Sequence, residues 1–229
     1  MITIALREFK KLFRSIRSII IIFLIFLVTL ETAKLINKFP LVLQVLNLGD
    51  HAYSVGLMVL IVLASPLFVS ILSHNVINEE LKSRTIRFIA TKTSRDNIIL
   101  GKFLGTLLFW GICVFVALIL IIPFAKEFYF RLFLHSIIYI SYFLGLTILL
   151  STTIPNPMLT TFINLILSIV MPILGLWSMG SDNIFLKLYS YITPYFFYSQ
   201  DKEPYYYFVL LFTIIFLGLS LTIMRKRDL

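Results

Sequence analysis

Six stretches of this chain are about twenty residues long, overwhelmingly apolar and uncharged at their centres. They run over 18–36, 52–72, 98–122, 132–153, 158–179 and 205–224. A bilayer core is roughly 30 Å thick, and a helix needs about 20 residues to cross it. In lipid every backbone polar group must find a partner inside the protein, which leaves helices or a closed barrel. Uninterrupted apolar runs of this length, without two-residue alternation, are helical. The fold class is therefore all-α, a polytopic membrane protein with six transmembrane helices in one domain, 1–229. Composition closes the alternatives. Hydrophobic residues make up 59% and charged residues 14% of the chain, against about 45–50% and 25% in a soluble domain. A soluble globule cannot hide that excess, and disordered chains are poor in aliphatic and aromatic residues. The lone Cys113 permits no intrachain disulfide.

Lysine and arginine set the orientation. With the N-terminus inside, fourteen basic residues fall on the cytoplasmic side and six outside. Acidic residues divide five inside and six outside, so the whole net charge of +9 lies on the cytoplasmic face. An even number of spans places both termini there. The expected location is the plasma membrane, with multiple passes and both ends cytoplasmic. The basic charge serves topology and contact with anionic lipid. No basic segment stands apart from a membrane helix, so no nucleic-acid partner is expected.

Residues 1–17 are amphipathic at helical period. Ile2, Ala5, Leu6, Phe9, Leu12, Phe13 and Ile16 form the apolar stripe, and Arg7, Glu8, Lys10, Lys11, Arg14 and Arg17 lie mostly opposite. Such a helix is expected to lie in the inner interface, apolar side down. Pro155, Asn156 and Pro157 separate the fourth and fifth spans by only a tight turn. Ser94 is placed to cap the third span, with Asp96 in its first turn, and Pro123 is expected to close it. Lys102 is expected to snorkel from that span to the headgroups. Gly101 and Gly105 would let another helix approach closely. Pro66, and Pro172 with Gly175, mark kinks.

The connection between the second and third spans carries both charge signs and an apolar stripe of Ile77, Leu81, Phe88 and Ile89. It is too polar to enter lipid, and its stripe is too apolar to float free. A helix over 75–89 that docks on something cytoplasmic fits both facts. Its sequence is Glu80-Leu81-Lys82-Ser83-Arg84-Thr85-Ile86-Arg87-Phe88-Ile89, followed by Ser94-Arg95 and then Ile98-Ile99-Leu100-Gly101-Lys102-Phe103. This run resembles the first cytoplasmic loop of ABC transporter permeases of the type-2 exporter family. The ending Arg225-Lys226-Arg227-Asp228-Leu229 is similar to the close of that family's six-span members. Arg84 stands where the family carries Gly.

The resemblance implies a permease subunit whose coupling helix sits in a groove of a separate cytoplasmic ABC ATPase. The docking set would be Ile77, Glu79, Glu80, Leu81, Arg84, Thr85, Arg87 and Phe88. Glu80, at the family's acidic position, is expected to bond Arg95. A second permease copy or paralogue would complete a dimer. ATP and Mg would belong to the partner ATPase, with no cofactor in this chain.

Several other chemistries lack machinery. Gly101-Lys102 is no phosphate loop, because no glycine lies five residues earlier and Phe103 stands where Ser or Thr is needed. His51, His74 and His135 have no ligand spacing for a metal. No catalytic triad can be assembled. No Asp, Glu, Lys or Arg sits near the middle of a span, where ion-coupled transporters commonly place ionisable residues. Asn164 and Ser168 are the candidates for a polar substrate path, the competing role for Asn164 being an interhelical hydrogen bond. The connection 180–204 is expected to form a short re-entrant or interfacial hairpin. Its tyrosines suit the membrane interface, with Tyr191, Tyr195 and Tyr198 as a candidate outer gate. The reading is an exporter subunit, not itself an enzyme, that moves an amphipathic or lipophilic molecule, a peptide being favoured. The alternative is a non-transporting immunity or scaffold subunit that binds a ligand or partner helix.

Overall fold

A computed structural model describes residues 1–39, 49–83, 93–200 and 203–227. Its described residues form helices and turns and no strand. Six helices are long and apolar enough to cross a membrane: Ile16–Lys38, Ala52–Lys82, Arg95–Ala125, Phe130–Thr153, Pro157–Gly180 and Pro204–Lys226. We label α1 Ile2–Phe13 and α2 Ile16–Lys38. The second span is composite, with α3 Val55–Val59, a π-helical stretch Leu60–Ala64 and α4 Ser65–Ser73. A turn leads to the short α5, Asn78–Lys82. The remaining spans are α6 Arg95–Ala125, α7 Phe130–Thr153 and α8 Pro157–Gly180. Two short helices, α9 Ile184–Ile192 and α10 Pro194–Ser199, precede α11 Glu203–Lys226.

Local chemistry places the ends. Ser94 Oγ accepts from the Asn97 N–H at 3.3 Å at the start of α6, and Asn156 Oδ1 accepts from the Met158 N–H at 3.0 Å at the start of α8. Pro157 and Pro194 occupy first turns, where the missing N–H costs nothing. Pro123 does not end α6 as expected. The helix continues to Ala125 and stops at Lys126, whose φ of 61° is left-handed. One lost hydrogen bond near the C-terminal end of a long helix is cheaper than a break in lipid.

Polarity decides which span is central. α7 has the lowest mean hydropathy of the six, 1.9, and is 61% buried over its most apolar window, against 22% for the last span. Lipid-facing helices must be apolar all round, while a helix surrounded by protein can carry Ser136, Ser141, Thr147 and Ser151 inward. The Ser141 and Thr213 hydroxyls meet at 3.1 Å and join α7 to α11.

Pro66 supplies no N–H for the carbonyl of Val62 one turn earlier, and the ladder loosens into the π stretch there. The Tyr139 hydroxyl donates to the Val62 carbonyl at 2.7 Å, with the Tyr195 hydroxyl at 3.5 Å. Tyr195 comes from the hairpin of α9 and α10. It reaches inward because α8 carries Gly175, where an added Cβ would stand 2.2 Å from the Tyr195 ring. The kink expected at Pro66 is thus a junction of three segments.

α1 does not rest on lipid by a single apolar stripe. Ala5, Glu8 and Leu12 are buried against α6, while Ile2, Leu6 and Phe13 stay exposed. Gly101 and Gly105 permit this contact. A Cβ at Gly105 would stand 2.4 Å from the Ala5 carbonyl oxygen, and one at Gly101 would stand 2.9 Å from Ile4 Cβ. The Ala5 obstacle is backbone and cannot rotate away. Gly105→Val is therefore expected to lift α1 from α6 and cost about 1–3 kcal/mol by overpacking. Gly218→Ala, which meets nothing within 4 Å, should stay within about 0.5 kcal/mol. Thermal unfolding of both variants in detergent checks the contrast.

Candidate coupling site

The start of α6, α1, α5, the turn between α7 and α8, and the end of α11 all meet at one end of the bundle. At their centre is Lys102, only 1% exposed. Its Nζ lies 3.0 Å from Glu8 Oε1 and 2.9 Å from Glu80 Oε1. The expected snorkelling of Lys102 is overturned. α1 lies across Gly101 and Gly105 and closes the route to the headgroups, and Glu8 arrives with it. A buried ammonium is expensive unless paired, and here one helix brings a carboxylate from each side. Glu80 therefore bonds Lys102, and the expected bond to Arg95 is not what is found.

Arg95 has another task. Its Nη1 donates to the carbonyls of Met224, Arg225 and Arg227 at 3.1, 2.9 and 2.6 Å. These are carbonyls at the end of α11, which lack helical partners. Arg225 pairs with Asp96 through two hydrogen bonds, Nε to Oδ1 at 2.9 Å and Nη2 to Oδ2. Arg227 Nη1 donates to the Thr152 carbonyl at 2.7 Å. The basic ending thus ties α11 to α6 and α7.

α5 is fixed from below by the α7–α8 turn. Ser151 Oγ accepts from the N–H groups of Ile77 and Asn78 at 3.1 and 3.2 Å. Both donors lie at the start of α5, where intrahelical partners are missing. Asn78 Nδ2 donates to Thr160 Oγ1 at 2.7 Å, and the Thr161 hydroxyl donates to Asn75 Oδ1 at 3.4 Å. The docking residues expected from sequence are thereby sorted. Ile77 is 0% exposed, so it anchors the segment inside the permease and is not open to a partner. Leu81 is partly buried against the core, Glu80 holds Lys102, and Glu79 and Lys82 are exposed. Arg84, Thr85, Arg87 and Phe88 lie outside the described residues. At Ile77 the stripe is covered by this chain itself.

The remaining candidates do not form one pathway. Asn164 and Ser168 line a cavity of about 10 Å³ with Ser70, Thr147 and Pro66, which is room for a single water. Asn164 Nδ2 donates to the Thr160 carbonyl at 3.0 Å, and Ser168 Oγ donates to the Leu165 carbonyl at 2.8 Å. Both bonds stay within α8, not between helices. Tyr195 is held on Val62, and the Tyr198 hydroxyl donates to the His135 carbonyl at 2.5 Å. Tyr191 faces outward at 53% exposure, with its ring 4.5 Å from that of Phe196. Among the described residues no three of His, Cys, Asp and Glu gather to hold a metal.

The pairing of Lys102 makes a graded expectation. Lys102→Met leaves Glu8 and Glu80 without their shared cation and should cost about 3–5 kcal/mol. Glu8→Gln leaves a balanced Lys102–Glu80 pair and should cost under about half of that. Thermal melting in detergent checks the order. A larger loss from Glu8→Gln would contradict it.

The site thus consists of charged and polar joints that bind a short, half-buried helix into the membrane bundle. The family model described as ABC-2 family transporter protein matches residues 2–229. No curated protein matches the chain. Members of that family are membrane components of ABC transporters and generally work with an ATPase subunit. With its six apolar helices and a match across nearly its whole length, this chain belongs to the ABC-2 family as a multi-pass membrane permease.

Proposed function

We propose that this permease is the membrane subunit of an exporter driven by a separate cytoplasmic ABC ATPase, with both chain termini on the cytoplasmic side. ATP and Mg bind in that partner. A second permease, identical or paralogous, completes the path. The cargo is an amphipathic or lipophilic molecule, a peptide being favoured. The spans are almost wholly apolar and the chain has little mass outside them.

The observation that carries this reading is the attachment of α5. A loop that only joined two spans would need no buried ties. α5 instead has Asn78 held by Ser151 and Thr160, and Glu80 held by Lys102. Its Glu79 and Lys82 remain exposed at the same end. Rigid attachment on one side and free polar surface on the other suit a segment that receives movement from a partner and passes it to the spans.

The test is capture of the ATPase by permease variants. A good apolar anchor is worth about 2 kcal/mol, or roughly thirtyfold in affinity. Phe88→Asp should reduce capture by about that factor with an unchanged size-exclusion profile. Leu81→Asp should do the same with some loss of stability, since Leu81 also touches the core. Glu79→Ala should have a smaller effect that grows with salt. Full capture by both aspartate variants would remove this segment as the docking element. Failure of wild-type permease to capture any ATPase would favour the immunity or scaffold role.

A further inference from the structure

α1 has three faces, and one of them is buried on the protein, with Phe13 at the edge of a second meeting the Phe109 ring at 5.0 Å. Ala5, Glu8 and Leu12 face α6. Ile2, Leu6 and Phe13 form a second, exposed apolar face. Arg7, Lys10, Lys11 and Arg14 form a third, also exposed. Together with Thr3, Leu6 and Ser15, these four cations make up one open side of α1. None of the four forms an ion pair among the described residues. The nearest acidic residue in sequence, Glu8, is turned away to Lys102.

We infer that this face binds acidic phospholipid headgroups, and that the bound lipid regulates the ATPase partner through Glu8, Lys102 and Glu80. The inference rests on the exporter reading for the partner and for the orientation. The chemistry of the occupant follows from the arrangement of the faces. A row of unpaired cations beside a row of exposed aliphatic and aromatic side chains matches a headgroup phosphate above an acyl boundary. Each basic residue near an acidic bilayer adds roughly fivefold to its attraction. The route inward is short. Glu8 lies on the buried face of the same helix, 3.0 Å from Lys102, and Lys102 lies 2.9 Å from Glu80 on α5. A lipid that holds α1 at the surface therefore also sets where the docking segment stands.

Two measurements separate the site from its effect. The first uses permease alone, by native mass spectrometry in detergent with equal phosphatidylglycerol and phosphatidylcholine. Wild-type permease should retain phosphatidylglycerol preferentially, and the variant R7Q/K10Q/K11Q/R14Q should show no preference. If that variant does not insert, K10Q/K11Q should show a reduced preference. The second uses the permease–ATPase complex in vesicles of phosphatidylcholine alone or with phosphatidylglycerol at about 7:3. ATP turnover should differ between the two vesicles for wild type and be equal for the four-site variant. Glu8→Gln should keep the lipid preference of wild type yet lose the dependence of turnover on lipid. Undiminished preference in the glutamine variants would overturn the site. Lipid-dependent turnover in Glu8→Gln equal to wild type would overturn the route. If wild-type permease binds no ATPase, the exporter reading and the route both fail, and the lipid-retention result alone decides the site.

Discussion

An ammonium group 1% exposed beneath the surface of a membrane bundle must keep its counter-charges. Lys102 keeps two, and they come from parts of the chain far apart in sequence. Glu8 belongs to a helix that would otherwise be a peripheral anchor. Glu80 belongs to a connection that would otherwise be a loop. The pairing forces both onto the start of α6, and the neighbouring contacts follow from it. Gly101 and Gly105 remove the side chains that would hold α1 away. Ser151 and Thr160 accept from the Ile77 and Asn78 N–H groups and from Asn78 Nδ2, donors that the close approach of α7 and α8 removes from water.

The far part of the bundle obeys the same accounting with neutral groups. Pro66 leaves the Val62 carbonyl short of its helical donor, and hydroxyls from α7 and α10 supply donors. The hairpin after α8 is therefore held by hydrogen bonds as well as by apolar contact. At the terminal end, Arg95 and Arg227 do the corresponding work on the carbonyls of α11 and α7. In lipid no water is available for such groups. The carbonyl freed at Pro66 is accordingly met by side chains from other helices.

Much of the fold was legible because its signals are local. Span length, the Ser94 cap and the Pro155–Pro157 turn all sit within a few residues of what they cause, and Gly101 and Gly105 announce a close approach without naming α1 as its partner. The candidate site was less legible. Nothing near Lys102 in sequence announces Glu8, which is 94 residues away. Helical period identifies Ile77 as one member of an apolar stripe, but it does not say whether that stripe faces inward or toward a partner. Arg95 was assigned a carboxylate because side-chain charges can be read from sequence, whereas its actual acceptors are backbone carbonyls with no residue-type signature. Pro123 failed as a stop because the cost of exposing backbone in lipid outweighs one missing donor.

The central claim is that α1, α5 and the start of α6 form one body joined at Lys102. The most direct measurement is the distance between spin labels at Thr3→Cys and Lys82→Cys, two exposed positions, in a Cys113→Ala background. The distance would be recorded by pulsed electron paramagnetic resonance in the nucleotide-free complex and with ATP trapped on the partner. The account predicts one narrow distance, the same in both states, that broadens when Lys102→Met is added. A broad distribution in the parent protein, or a distance that changes with nucleotide, would contradict it.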